Sequence, residues 1–216
     1  ATRQRYWARS LVGWRWFQRA RPNANHRALA DLEEAGWVHQ LVTQNVDRLH
    51  QEAGSKKVVD LHGRLDTLRC LGCGERSPRE PLQRQLEEEN PEFAVQAAAM
   101  APDGDADLEG GDFSRFQVPA CESCGGMLKP DVVFFGEGVP EDRVAACREA
   151  LLSSDGLLVL GSSLMVYSGF RFCRLAAEHA IPMGAINLGR TRADELFDFK
   201  LEAPCELVLP RLVESI

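Results

Sequence analysis

Between residues 131 and 188 the apolar positions fall into short blocks whose period switches between that of a strand and that of a helix. Asp131 to Phe135 reads as an apolar, β-branched strand, and Arg143 to Leu152 as an amphipathic helix. Gly156-Leu-Leu-Val-Leu160 predicts a short buried strand ending in Gly161-Ser-Ser163. Gly169 to His179 predicts another helix, and Pro182 to Leu188 another strand, ending in Asn187-Leu-Gly189. The earlier part follows the same scheme. Pro22-Asn-Ala-Asn-His26 opens a helix that runs through Leu29, Leu32 and Glu33 and stops at Gly36. Trp37 to Thr43 then reads as a strand, and Val46 to Ala53 as a short helix. Short apolar strands alternating with helices predict an α/β protein built of parallel βαβ units.

Two segments depart from this rhythm. Residues 1–27 carry seven arginines and no acid, together with Tyr6, Trp7, Trp14, Trp16 and Phe17. That is too much aromatic surface for a cleaved leader. Trp7, Leu11 and Trp14 share one helical face, which predicts a folded helix; a mitochondrial transit segment and a nucleic-acid arm are the other readings. Residues 80–112 hold ten acids and one base, Arg84, with a helical piece near Leu82–Glu89. The Pro102-Asp-Gly-Asp105 turn and Gly110-Gly111 mark this as a loop-rich insertion. The chain as a whole is acidic, at −7 over 216 residues, which argues against nucleic-acid binding as its main activity. No apolar run reaches the roughly 18 residues of a membrane span, and no signal peptide is expected.

Composition leaves the chemistry open; the cysteines narrow it. Four of the seven form two pairs of equal spacing, Cys70-Leu-Gly-Cys73 and Cys121-Glu-Ser-Cys124, each followed by glycine. Two such turns supply four thiolates, the ligand set of a tetrahedral structural zinc. Disulfides or a redox pair are the other readings, and duplication at one spacing favours metal. The pairs are 47 residues apart, so the zinc closes a module with a large insertion. Cys147, Cys173 and Cys205 are scattered without partners, as expected in a reducing compartment.

In a doubly wound sheet, ligands gather outside the carboxyl ends of the strands. Three predicted strands end there in polar or glycine-rich clusters: Thr43-Gln-Asn-Val-Asp47, Gly161-Ser-Ser163 and Asn187-Leu-Gly189. Amide and carboxylate side chains can bind ribose hydroxyls, and Gly and Ser admit phosphate to backbone N–H groups. No Gly-x-Gly-x-x-Gly occurs, which excludes an ordinary dehydrogenase fingerprint. His62, in Leu61-His-Gly63, has the setting of a general base near neutral pH; a surface or capping histidine is the plainer alternative. His26, His39, His50 and His179 lack that setting, and His50 and His179 read as helix-surface residues. Lys129-Pro-Asp-Val-Val-Phe-Phe-Gly-Glu137 sets two aromatics beside a strand end, as tunnel lining or as core.

Taken in order, Thr43–Asp47, Leu61–Gly63, the two cysteine pairs, Lys129–Glu137, Gly161–Ser163 and Asn187–Gly189 resemble the sirtuin family of NAD-dependent protein deacylases. Arg5-Tyr-Trp-Ala-Arg9, Ala101-Pro-Asp-Gly-Asp105 and Ser168-Gly-Phe-Arg-Phe172 are similar to its class II branch, which holds sirtuin 4 and bacterial relatives. The resemblance implies a Rossmann-like NAD-binding domain over residues 1–66 and 130–216, and a zinc module with the acidic insertion over 67–129. It implies that NAD and an acyl-lysine protein give nicotinamide, O-acyl-ADP-ribose and free lysine. His62 would be the base acting on the NAD ribose, and Asn45 would orient that ribose. Asp47 with Val46 would hold the carboxamide of the departing nicotinamide, and Gln44 would also contact the cofactor. Gly161, Ser162 and Ser163 would hold ribose and phosphate, with Asn187, Leu188, Gly189 and Cys205 at the adenosine end. Val133, Phe135 and Gly136 would line the acyl-lysine tunnel, and Cys70, Cys73, Cys121 and Cys124 would hold one structural zinc.

The family's Gly-Ala-Gly…Gly-Ile-Pro-Asp-Phe/Tyr-Arg segment, which cradles the NAD phosphates, is not among the 216 residues. The expectation divides between a fragment and a polypeptide lacking the first strand, the latter binding NAD weakly. Protein ADP-ribosyl transfer on the same fold, and a non-catalytic zinc-stapled module binding NAD or acyl-peptide, stay as alternatives. Partners are acyl-lysine proteins or peptides, with no nucleic acid and no membrane, and the chain is expected to be a monomer. Location is the cytoplasm in a bacterium or the mitochondrial matrix in a eukaryote.

Overall fold

A computed structural model describes residues 2–95 and 112–216; the Ala101–Asp105 turn lies outside the described residues. The chain runs through α1 (Thr2–Arg19), α2 (Ala24–Glu34), β1 (Leu41–Thr43), α3 (Leu49–Glu52), β2 (Val58–Asp60) and β3 (Gly63–Cys70). It continues with β4 (Arg76–Pro78), α4 (Arg79–Glu89), α5 (Pro91–Ala94) and β5 (Leu128–Val132). Then come α6 (Glu141–Leu152), β6 (Leu157–Leu160), α7 (Tyr167–Glu178), β7 (Met183–Ile186), β8 (Phe199–Leu201) and α8 (Cys205–Glu214). Packing divides these into two compact units, Ala1–Ala20 with Arg64–Val132, and Arg21–Gly63 with Val133–Ile216.

The first unit holds a three-stranded sheet in the order β4-β3-β5 and a core of its own. Trp7, Ala8, Leu11 and Val12 form the buried stripe of α1, against Leu68 of β3, Leu82 and Leu86 of α4, Phe93 of α5, and Phe116. This packing separates α1 from the residues expected to share its domain, because its apolar face finds its partners around the cysteine-bearing strands. Arg79 is fully buried with its guanidinium 5.2 Å from the centroids of both Trp7 and Trp14. It donates to Gln83 Oε1 at 2.7 Å, and Gln83 in turn donates to the Leu11 carbonyl at 3.0 Å. Burial pulls the guanidinium down to about 10, still charged at neutral pH, so the two indole faces take over part of the role of water.

The second unit is the parallel one. β1 pairs with β2, and β6-β7-β8 form a second parallel sheet. Alternation sends successive side chains to opposite layers. One core joins Ala28, Leu29 and Leu32 of α2, Leu41, Ile186 and Leu209 of α8, with Leu160 packed on it. The other joins Leu61, Val159 and Ala185 to Cys147 and Leu151 of α6 and Phe172, Cys173 and Ala176 of α7. Helices therefore cover both faces, as the βαβ reading requires.

Both sheets keep an open edge. Leu41 N–H donates to Lys57 O at 2.8 Å and Thr43 O accepts Leu61 N–H at 2.9 Å, so these residues of β1 face β2. Leu157 and Gly161 N–H groups point to β7 in the same way, at 2.9 and 3.0 Å. The backbone of Val42, Leu158 and Leu160 then faces the other side, where no strand pairs among the described residues. Val42 and Leu158 are left 39% and 41% exposed although both lie mid-strand.

Three expected boundaries shift. The strand foreseen over Trp37–Thr43 begins only at Leu41, because the N–H groups of Trp37 and Val38 fold back onto Leu32 O to close α2. The strand foreseen over Asp131–Phe135 is Leu128–Val132, since Glu137 N–H closes a turn on Phe134 O that passes through Gly136, whose φ is +90°. The short helix foreseen over Val46–Ala53 is confined to Leu49–Glu52.

The α1 stripe predicts a contrast between two tryptophans. Trp7→Ala is expected to lower unfolding free energy by about 3–5 kcal/mol. Trp16→Ala, at a 43% exposed position, should stay within about 0.5 kcal/mol. Urea melts of the two variants check this.

Candidate active site and metal centre

The metal candidate lies in the first unit. The Sγ atoms of Cys70, Cys73, Cys121 and Cys124 all fall within 4.8 Å of one another. Cys70 and Cys124 sulfurs are 3.5 Å apart, and those of Cys73 and Cys121 3.9 Å. Four sulfurs at about 2.3 Å around a tetrahedral zinc are roughly 3.8 Å from each other, so the set fits that ion. The turns explain the convergence. Gly72 N–H donates to Cys70 Sγ at 3.3 Å and Gly126 N–H to Cys124 Sγ at 3.4 Å. A Cβ at Gly126 would stand 2.8 Å from Cys70 Sγ, so only glycine fits there. The Cys73 N–H, with Gly72 N–H behind it, pulls the Cys70 thiol down to about 6, toward the thiolate a metal needs. The other thiols differ. Burial pushes Cys147 and Cys173 up to about 11, as core residues.

The catalytic candidate lies in the second unit, at the carboxyl ends of its parallel strands. Leu61 is pinned to Thr43, and the next residue, His62, accepts Val133 N–H on its own carbonyl at 2.8 Å. Its Nδ1 lies 3.1 Å from the Gln44 carbonyl and its Nε2 2.7 Å from Ser168 Oγ. A carbonyl can only accept, so Nδ1 carries the proton and Nε2 presents its lone pair. Burial lowers the His62 pKa from 6.5, against the opposing pull of the Gln44 carbonyl and with help from Arg143, leaving the ring neutral at pH 7. A neutral imidazole that presents its Nε2 lone pair to a hydroxyl is a general base.

Gln44 ties the neighbours in. Its Oε1 accepts from Ser162 Oγ at 3.0 Å, joining the end of β1 to the loop after β6. Its amide lies so close to α7 that a Cβ on Gly169 would come within 2.9 Å of Gln44 Nε2. The loop continues with Asn45, exposed and held by Thr43 Oγ1 on its N–H at 3.1 Å. Val46 follows, then Asp47, whose Oδ1 caps Leu49 N–H at 3.0 Å. Gly161 takes φ +57°, with Cys205 Sγ 3.8 Å from where its Cβ would be; exposed Ser163 follows. After β7 the buried Asn187 side chain bonds Leu188 O and Gly189 O at 2.9 and 3.3 Å, curling the turn in which Gly189 has φ +72°. Cys205 Sγ donates to Ile186 O at 3.3 Å. Open glycine turns and amide or hydroxyl groups at one edge suit ribose and phosphate. Phe135 is 93% exposed, and a Cβ on Gly136 would meet nothing within 4 Å among the described residues.

Two features escaped the sequence reading. Ser168 and Gly169 lie against the His62–Gln44 pair; the sequence marked them only as part of Ser168-Gly-Phe-Arg-Phe172, with no role at the base. His50 is no helix-surface residue: its ring lies 4.6 Å from that of His26, half-buried, with Nδ1 unbonded among the described residues.

A chain with one parallel-stranded α/β unit carrying ligand-type loops and one four-cysteine metal unit is the class defined by these features. The Sir2 family profile matches residues 2–168. A protein of Bradyrhizobium diazoefficiens named "NAD-dependent protein deacetylase 2" is 60% identical over 212 residues, 98% of this chain and 78% of that protein. The Bordetella bronchiseptica "NAD-dependent protein deacetylase" is 60% identical over 211 residues, 98% and 77% of the two chains. A solved structure described as "Sir2-p53 peptide-NAD+" superposes with a TM-score of 0.75 at 30% identity, over 92% of this chain and 72% of the other. The chain belongs to the Sir2 family. No helix among the described residues is long and apolar enough to cross a membrane.

Two outcomes follow for the metal and the buried histidines. Metal analysis should find one zinc per chain, and Cys73→Ser should lose both the zinc and the fold of its unit; structural zinc contributes about 10 kcal/mol or more at pH 7. His26, His50 and His62 are all lowered from 6.5, chiefly by burial. Below 6.5 the unfolded chain takes up protons the folded one refuses, so stability should fall with pH there and level off above it. Melting temperatures between pH 5 and 8 measure this.

Proposed function

We propose that this chain carries the catalytic core of an NAD-dependent protein-lysine deacylase that releases nicotinamide, O-acyl-ADP-ribose and free lysine. The observation that carries the proposal is the neutral His62 at the strand ends, its Nδ1 on the Gln44 carbonyl and its Nε2 lone pair toward Ser168 Oγ. The relatives' name, NAD-dependent protein deacetylase, and neighbours described as bound to acetylated peptide support it. NAD, when bound, supplies the ribosyl carbon that gives up nicotinamide and receives the acyl oxygen.

The chain's own residues do the rest. His62 takes the proton of a ribose hydroxyl at Nε2. Asn45 orients that ribose, while Gln44, Val46 and Asp47 hold the nicotinamide end. Gly161, Ser162 and Ser163 bind ribose and phosphate, and Asn187, Leu188, Gly189 and Cys205 the adenosine end. Val133, Phe135 and Gly136 line the way in for the acyl-lysine, and the peptide docks as an added strand. Zinc, in the other unit, is structural. Ser168-Gly-Phe-Arg-Phe172 supports the class II branch, and the bacterial relatives support a cytoplasmic location. The open edges of β1 and β6 leave a place for a further parallel strand.

His62→Tyr should cut deacylation of an acetyl-lysine peptide by about 100- to 10,000-fold. Nicotinamide exchange should survive better, because the first bond cleavage precedes the base. Mass spectrometry of the products should show O-acyl-ADP-ribose; ADP-ribosylated protein in its place would replace this reading with transfer. Near wild-type turnover by His62→Tyr would remove His62 from the mechanism.

A further inference from the structure

We infer that Ser168 is a positioning residue for the base, holding the His62 ring by its reactive nitrogen and yielding that nitrogen to the substrate hydroxyl. The inference rests on the deacylase reading of His62. Ser168 stands in the first turn of α7, only 8% exposed, 106 residues further along the chain than its partner. Its Oγ lies 2.7 Å from Nε2, while the opposite nitrogen is held by the Gln44 carbonyl at 3.1 Å. With Nδ1 protonated, Nε2 can only accept, so the Ser168 hydroxyl is the donor. An imidazole tethered at one nitrogen can still swing about its Cβ–Cγ bond. Tethered at both, it is fixed in plane.

The neighbouring residue completes the clamp. Gly169 has no side chain where a Cβ would stand 2.9 Å from Gln44 Nε2. That space lets Gln44 sit where its backbone carbonyl reaches Nδ1. The Ser168-Gly169 dipeptide therefore serves both ring nitrogens, the serine directly and the glycine by admitting Gln44.

A hydroxyl suits this place because it can donate and accept. At rest it donates to the Nε2 lone pair. Nε2 has a single in-plane lone pair, so the substrate hydroxyl must replace Ser168 before its proton can move. In that transfer the substrate O–H bond breaks and an Nε2–H bond forms. Ser168 Oγ can then accept from the new N–H, steadying the imidazolium. One neutral hydrogen bond is exchanged for another, so the resting contact positions the ring without strongly opposing substrate.

The test uses the full encoded polypeptide with Ser168→Ala, Ser168→Thr and Gly169→Ala. Ser168→Ala should lower kcat for deacylation about two- to tenfold, the worth of one hydrogen bond, with nicotinamide exchange within about twofold of wild type. Ser168→Thr, which keeps the hydroxyl, should recover most of the loss. In ¹⁵N spectra of the free protein, Ser168→Ala should move the His62 Nε2 resonance toward that of an unbonded ring nitrogen. Gly169→Ala should disturb Nδ1 instead. Wild-type kcat in Ser168→Ala, an unmoved Nε2 resonance, or a folded Ser168→Thr no better than Ser168→Ala would each overturn the role. If the wild-type protein itself shows no NAD-dependent deacylation, the deacylase reading fails, and this role in the reaction with it; the ¹⁵N spectra then decide the resting contact alone.

Discussion

Gln44 is the joint on which the candidate site depends. Its backbone carbonyl fixes the tautomer of His62, and its side chain takes Ser162 and fills the space above Gly169. It thereby connects the ends of β1, β2 and β6 with the start of α7. The connection works only in one register, because a shift of one residue along β1 turns every side chain to the opposite face. Thr43, buried just before it, holds both Leu61 and Asn45 through its carbonyl and hydroxyl. A three-residue strand thus determines where the base, the ribose-type amide and the serine loop stand.

The first unit has a different constraint. Its apolar core gathers on α1 and α4 around Trp7 and Leu86, and the cysteines lie in turns outside that core. Four sulfurs within 4.8 Å do not stay together as thiolates without a cation, because like charges at that distance raise each other's pKa. A divalent ion removes that repulsion and closes the turns. Four sulfurs fill all four positions of a tetrahedral ion, which fits a structural role.

The open edges of β1 and β6 show how little of the second unit's cohesion comes from strand pairing. Its strands have three or four residues each, and their ladders are correspondingly short. Cohesion comes from the two helical layers, α2 and α8 on one face and α6 and α7 on the other. Half-exposed Val42 and Leu158 mark where apolar surface remains without a partner. Exposed strand edges of this kind are where further pairing is most favourable.

Much of this was legible in the residues alone. Period and punctuation located α2, α6, α7, β6 and β7 to within a few residues, because apolar spacing and stop signals such as Gly36 act locally. The two Cys-x-x-Cys turns announced a metal centre, since ligand type and spacing carry that chemistry whatever lies between. His62, Asn45 and the serine loop were legible as candidates from their place after strands. Trp37 and Phe135 misled, because an apolar residue near a strand looks the same in sequence whether it continues the ladder or turns away. The sequence by itself could not show that Trp7 packs with Leu68 and Leu86, that His26 meets His50, or that Ser168 meets His62. Those pairs are far apart along the chain, and no local preference connects them. Only tertiary packing decides such contacts, through which helix face meets which strand end.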